Sequence, residues 1–373
     1  MIYLDHNASS PIKPAVRAAV MEAMERTGNP SSVHRYGRIA RKHIEEARAK
    51  VAALVGVKPS QVIFTSGGTE ANNMALRSGG VTTLLPSAIE HDSILSVASD
   101  ALRLPVKMEG VVDLTKAEKI FKDTKAPALI AVMLVNNETG VIQPIAEIVR
   151  LAQQYGHKVH TDAVQAAGRL PLDFKALDVQ SLSLSAHKIG GPQGIGALIV
   201  AEKMVFQPLL QGGGQEMNRR AGTENVAGIV GFGVAAQLAV DDLRDTLRLR
   251  LLRDELQQQL LDSAEGDVVV LGAKADRVGN TLCIAMNGVS SETQVMAMDL
   301  AGVAVSAGSA CSSGKVKSSH VLRAMGYDID VAAAALRISL GWNTETKDIA
   351  RCIEAWRVLY RRTHEITTNR AAA

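Results

Sequence analysis

From residue 61 to about residue 210, short apolar runs alternate with longer stretches whose apolar positions recur at helical spacing. That alternation predicts an α/β fold, a mostly parallel sheet covered by helices. The strands it predicts lie at 61–65, 82–86, 128–135, 158–161, 181–185 and 197–200. Ser181-Leu182-Ser183-Leu184-Ser185 alternates with period two, so this strand has one apolar face. Upstream, Pro14 opens a helix to about residue 26, with Val16, Val20, Met21 and Met24 on one side. A Gly-Asn-Pro-Ser-Ser loop at 28–32 leads through His34 and Gly37 into a charged helix over about 38–55. A long helix over about 226–262 closes this lobe, its charged second half placed to straddle two lobes. Strands near 267–271, 280–286 and 335–339, with helices over 291–301 and 345–363, read as a smaller α+β lobe. The tail 367–373 is expected to fray.

At 373 residues the chain is too long for one small domain. The expected division is a large domain over 15–250 and a small one built from 1–14 and 251–373. A formal charge of +3 gives no support to a nucleic-acid partner. No apolar run approaches a membrane span, and Met1-Ile2-Tyr3-Leu4-Asp5-His6 is not a signal peptide, so a cytoplasmic protein without a membrane partner is expected. Cys283, Cys311 and Cys352 are odd in number and lack zinc-type spacing, which points to free thiols in a reducing compartment and to no resident metal. One of the three is then available to react.

Candidate chemistry gathers where strands end. Ser185-Ala186-His187-Lys188 leaves its strand into the glycine-rich bend Gly190-Gly191-Pro192-Gln193-Gly194-Ile195-Gly196. A lysine placed there can form a Schiff base with an aldehyde cofactor while Ser185 and His187 hold its phosphate. A lone lysine beside a turn is ordinarily a surface residue, so the reading rests on three groups upstream. In Thr65-Ser66-Gly67-Gly68-Thr69-Glu70, Gly67 and Gly68 let the backbone approach an anion and Thr69 adds a hydroxyl at a helix start. In His160-Thr161-Asp162-Ala163-Val164-Gln165, Asp162 can pair with a protonated pyridine nitrogen and Gln165 can reach a ring hydroxyl, although Asp162 reads equally as a helix cap. In Ile89-Glu90-His91-Asp92-Ser93, His91 can stack on a ring and exchange protons, or simply sit half exposed on a capped helix. The glycines of 190–196 are no dinucleotide fingerprint, because they follow the lysine and do not open a helix.

The order phosphate turn, histidine, aspartate, lysine resembles the cysteine desulfurases, the NifS/IscS-like branch of the class V aminotransferase-type enzymes that use pyridoxal phosphate. The likeness runs through Tyr3-Leu4-Asp5-His6-Asn7-Ala8, Gly28-Asn29-Pro30-Ser31-Ser32-Val33-His34 and Ser66-Gly67-Gly68-Thr69-Glu70-Ala71-Asn72-Asn73. It continues in Val135-Asn136-Asn137-Glu138-Thr139-Gly140, His160–Gln165, Ser185–Lys188, Gly222-Thr223-Glu224-Asn225 and Gly308-Ser309-Ala310-Cys311. The resemblance implies the fold type I architecture of pyridoxal-phosphate transferases. It implies that Lys188 binds the cofactor covalently, that His91 stacks on its ring, and that Asp162 and Gln165 meet the ring nitrogen and oxygen. Gly68, Thr69, Ser185 and His187 would seat the phosphate, with Thr223 reaching the phosphate of a neighbouring subunit in a homodimer. Asn137 would lie near the ring oxygen and substrate, and Arg337 in Leu336-Arg337-Ile338 would clamp the substrate carboxylate.

The implied reaction converts L-cysteine to L-alanine and a persulfide on Cys311, which supplies sulfur to an iron–sulfur scaffold or another acceptor. Cys311 lies among small residues, Ala307-Gly308-Ser309-Ala310-Cys311-Ser312-Ser313-Gly314, with Lys315 and Lys317 placed to lower its pKa, and could transiently contact a cluster. Cys283, in an apolar strand, and Cys352, in an amphipathic helix, read as structural. Two positions depart from the family pattern. Gly190 stands where an aromatic residue is common and is expected to loosen the pocket wall, and Ser318 replaces a proline, so Ser318 or Ser319 should cap the next helix. The long cysteine segment is of the group I form, close to the branch linked to nitrogen fixation or general iron–sulfur assembly. A selenocysteine lyase shares the cofactor apparatus; a true aminotransferase needs no mobile thiol; a non-catalytic scaffold would not need Lys188, Asp162 and Cys311, all of which are present.

Overall fold

The computed structural model describes residues 1–371 except 203, 205, 265 and 309–317, with backbone only beyond residue 363. Its centre is a six-stranded sheet in the order Val62–Thr65, Gly196–Val200, Ser181–Ser185, Lys158–Asp162, Ala128–Ala131, Thr83–Pro86. Five strands run one way and Gly196–Val200 runs against both its neighbours, which makes the sheet mostly parallel as expected. Helices cover both faces, so the inner strands, Ser181 and Ser183 included, are buried apart from the half-buried Lys158 that opens one of them. Helices Arg35–Leu54 and Val226–Asp242 lie against each other so closely that a Cβ added at Gly233 would sit 2.7 Å from Ala47 Cα.

A second, antiparallel sheet runs Ser306–Ala307, Ala335–Ser339, Thr281–Met286, Val268–Val270. Its own apolar cluster includes Leu252, Leu256, Leu282, Ile338 and Trp356, with Trp356 stacked on Tyr360 at 5.3 Å. The N-terminal strand Ile2–Tyr3 pairs with Val303–Ala304, and Asp5 bridges to Ser339. Residues 5–9 therefore leave the smaller sheet and cross towards the larger one, where Ser10 N donates to His187 O at 2.8 Å.

Local chemistry explains the departures from the sequence expectations. The 128–135 strand stops at Ala131 because Met133 N turns to the Glu90 carboxylate at 2.8 Å. The second helix begins at Arg35, earlier than expected, because the His34 ring accepts from Gly37 N and caps it. The 226–262 helix is interrupted by a 3₁₀ turn, Leu243–Asp245. Contrary to the sequence expectation, Val226–Asp262 includes an 18-residue window apolar enough to cross a membrane by length and composition. Its apolar side is taken up by the core, where Phe232, Ala235, Ala236 and Ala239 are fully buried. The tail expected to fray continues the helix Thr346–Ala371, since no glycine or proline stops it. As expected, Ser319 caps the helix that follows, its Oγ accepting from Leu322 N.

Candidate active site

The carboxyl ends of adjacent parallel strands bring the polar groups together, because there the backbone ladder opens and side chains of neighbouring connections converge. Asp162 ends one strand, and Ser185 ends the next. A 3₁₀ turn, Ala186–Lys188, then carries His187 and Lys188. The helix Gly68–Ser78 starts beside them, and Gly68 packs so close to Val164 that a Cβ would lie 2.9 Å from its Cγ2. Gly68, Thr69, His91, Asn137, Asp162, Gln165, Ser185, His187, Lys188 and Arg337 all line one cavity of about 320 Å³.

Each group is held by identifiable partners. Asp162 is buried; its Oδ2 accepts from Asn72 Nδ2 at 2.7 Å and its Oδ1 from Val164 N at 2.9 Å. Asn72 also bonds Ser93 Oγ and the His160 ring, so a buried polar chain fixes the carboxylate. His91 caps a short helix, its Nδ1 accepting from Ser93 N. Lys188 Nζ donates to the carbonyls of Asn7 at 2.6 Å and Ala8 at 2.9 Å. Gln165 Nε2 donates to the same Asn7 carbonyl at 2.9 Å. Burial, with the nearby Arg337 and Arg169 cations, brings the Lys188 amine down from its ordinary value to about 7. Burial and the neighbouring Lys188 charge take His187 down to about 4. Arg337, 2 % exposed, donates from Nη2 to Asp5 Oδ1 at 2.8 Å and from Nη1 to Asn137 O at 3.1 Å, while its buried Nε has no partner among the described residues.

The sequence reading left Asn7 and Asn72 without roles. Asn72 was within reach of inference, one helical turn from Gly68, whereas nothing local to Asn7 signals its contact with Lys188. Gly190 is not in the cavity wall, so the expected loosening does not arise. It adopts φ +75°, and a Cβ there would meet Lys13 Cγ at 2.7 Å. Thr223 is exposed and does not line the cavity within one chain. Cys311, Lys315 and Lys317 lie outside the described residues. Cys283 and Cys352 are fully buried; burial pushes the first thiol far up and the second up to about 12. Neither is a ready nucleophile.

The aminotransferase class-V family model matches residues 2–352. The chain is 40% identical over 363 residues to the cysteine desulfurase IscS of Dictyoglomus turgidum, covering 93% of this chain and 91% of that protein. It is also 40% identical over 377 residues to an IscS-like cysteine desulfurase of Mycobacterium tuberculosis, with 95% of each covered. The fold superposes on the X-ray structure of a NifS-like protein from Rickettsia africae with a TM-score of 0.90 at 35% identity, over 97% of this chain and 99% of that one. With its lysine, aspartate and arginine gathered about one cavity, the chain belongs to the class-V aminotransferases, pyridoxal-phosphate enzymes, and within them to the cysteine desulfurase family.

Proposed function

We propose that this protein removes sulfur from L-cysteine, releasing L-alanine and leaving a persulfide on Cys311. The observation that carries the reading is the convergence of Lys188, Asp162 and Arg337 on one cavity, with a lysine amine brought to about 7 and an arginine Nε left without a partner. The donor set fits pyridoxal phosphate: hydroxyls and backbone at a helix start for the phosphate, a fixed carboxylate for the ring nitrogen, and a neutralisable amine for the aldehyde. Gly68, Thr69, Ser185 and His187 would hold the phosphate, Asp162 the ring nitrogen, Gln165 and Asn137 the ring-oxygen side, and His91 a ring face. When bound, the cofactor supplies an aldehyde that condenses with amines and a ring that draws electrons from the α-carbon of the substrate.

The chain's own residues then do the following. Arg337 takes the substrate carboxylate, for which a planar guanidinium suits better than an ammonium. Lys188, with its amine poised near neutrality, moves the proton at the α-carbon. Asp162 holds a proton at the ring nitrogen. The Cys311 thiolate attacks the substrate sulfur; a sulfur–sulfur bond forms, and the carbon–sulfur pair of electrons stays with the carbon skeleton. Protonation of that carbon gives alanine, and the persulfide sulfur passes onward by exchange. Buried Cys283 and Cys352, with raised thiol pKa values, are poor alternatives, which favours Cys311 by chemistry.

The same reading includes a cytoplasmic homodimer in which Thr223 completes the partner's phosphate site, and a protein sulfur acceptor in iron–sulfur assembly, general or serving nitrogen fixation. Mass spectrometry after one turnover with cysteine and no reductant tests the core of it. The added sulfur is expected on the peptide containing Cys311; its appearance on Cys283 or Cys352 overturns the assignment. Turnover on selenocysteine exceeding that on cysteine would favour a selenocysteine lyase instead.

A further inference from the structure

The guanidinium of Arg337 is already partly engaged, and the pattern of its engagement is informative. Asp5 is its only ion-pair partner among the described residues, and the contact is made through Nη2 alone. The other Asp5 oxygen, Oδ2, accepts from Ser306 Oγ at 2.8 Å. A carboxylate left to itself against an arginine tends to take two parallel hydrogen bonds, one on Nη2 and one on Nε. Ser306 draws Oδ2 away, and Arg337 Nε is left buried without a partner. The third nitrogen, Nη1, is fixed on the Asn137 carbonyl. Arg337 lines the cavity, whereas Asp5 does not; it touches the guanidinium from outside the cavity wall.

Backbone geometry makes this arrangement rigid. Asp5 bridges to Ser339, two residues along the strand from Arg337, and Ser306 pairs in register with Arg337 on its other side. Three adjacent backbone segments thus present Asp5, Arg337 and Ser306 to one another. A buried donor without an acceptor costs stability unless something else satisfies it, so the open Nε marks a place kept for a ligand oxygen.

We infer that Asp5, held by Ser306, is a positioning residue for carboxylate recognition: it aligns Arg337 through one nitrogen and keeps Nε open for the α-carboxylate of the substrate. This rests on the reading that Arg337 receives that carboxylate. Asp5 keeps a long side chain ordered before the ligand arrives, so less freedom is lost on binding. Ser306 prevents Asp5 from occupying the donor it is meant to leave free.

The test compares L-alanine with ethylamine, the same amine lacking the carboxylate, by calorimetric titration of the holoenzyme. Asp5→Ala is expected to weaken L-alanine about tenfold and to leave ethylamine within about twofold. Asp5→Asn, which keeps an oxygen for Nη2, should hold L-alanine within about threefold of the parent. Ser306→Ala lets Asp5 swing onto Nε and should weaken L-alanine about threefold with ethylamine unchanged. If Asp5→Ala does not yield folded protein, Ser306→Ala decides alone. Equal weakening of both ligands, or an unchanged alanine-to-ethylamine ratio, in Asp5→Ala or Ser306→Ala overturns the inference. An unchanged ratio in Arg337→Gln overturns the underlying reading of Arg337 as well, which separates the two failures.

Discussion

The two sheets furnish the site in different ways. The six-stranded sheet delivers Asp162 and Ser185 from strand ends, with His187 and Lys188 in the turn that follows. The antiparallel sheet delivers Arg337 from the middle of the strand Ala335–Ser339, in register with Cys283 on one side and Ser306 on the other. A strand end frees both backbone and side chain for a ligand, so one short segment can supply several groups. A mid-strand residue can project its single side chain to one face only, but the hydrogen-bonded ladders on both sides fix where that side chain points. The first arrangement builds a many-point seat for a cofactor, and the second aims a single rigid clamp.

If that division is right, losses on the larger sheet should be severe and losses on the smaller should be selective. Lys188→Ala is expected to lower desulfuration at least about 10³-fold, because a proton-transferring group worth about 10²–10⁴ disappears along with the covalent anchor. Borohydride reduction followed by peptide mapping should find the cofactor on Lys188 in the parent and on no residue in the variant. Retention of a reducible adduct in the variant would remove the anchor from the larger sheet. Asp162→Asn should cost about 10²–10³ in kcat, the usual effect of removing one preorganised electrostatic partner, with cofactor still bound through the phosphate seat. A loss below tenfold would show that the carboxylate fixed by Asn72 is a structural cap.

The smaller sheet should give a milder and more discriminating response. Arg337→Lys keeps the charge but loses the planar fork, so KM for cysteine should rise about tenfold with kcat changed far less. Equal falls in kcat and kcat/KM would mean that Arg337 acts only in the transition state.

This contrast also explains what the sequence could and could not disclose. Strand ends carry their chemistry next to glycines and caps, so Gly67-Gly68-Thr69 and Ser185-Ala186-His187-Lys188 were visible as local patterns, and the α/β alternation placed them on one edge. Arg337 sits in Leu336-Arg337-Ile338, where local pattern says only that one polar residue interrupts an apolar strand; its role came through family likeness. Asn7 and Asp5 were harder still. Their partners, Lys188 and Arg337, lie more than a hundred positions away, and nothing in a turn-rich entry segment reveals which side chains it will meet. The apolar window in 226–262 was passed over in the sequence, and apolar content alone would not have distinguished a helix buried in a core from one in a bilayer.

The smallest expected effect probes the electrostatic contact between the two sheets across the cavity. Burial is the main reason the Lys188 amine is brought to about 7, and the Arg337 cation is the next. A nearby positive charge disfavours the protonated amine, so removing it must raise the midpoint towards the ordinary lysine value, with burial still holding it below that value. In the cofactor-free protein only the neutral amine reacts with an aldehyde, so the rate of reductive methylation of Lys188 should climb through pH 7 and level off above it. Arg337→Gln should move that rise to higher pH while leaving its shape unchanged, because the same single group is titrating. The rate is best followed by mass spectrometry of the peptide carrying Lys188, since exposed lysines methylate with their own, more alkaline profile. A midpoint near 10.5 in the parent would mean that the turn carrying Lys188 is open to water. An unchanged midpoint in Arg337→Gln would mean that the clamp of the smaller sheet and the anchor of the larger do not sense each other's charge.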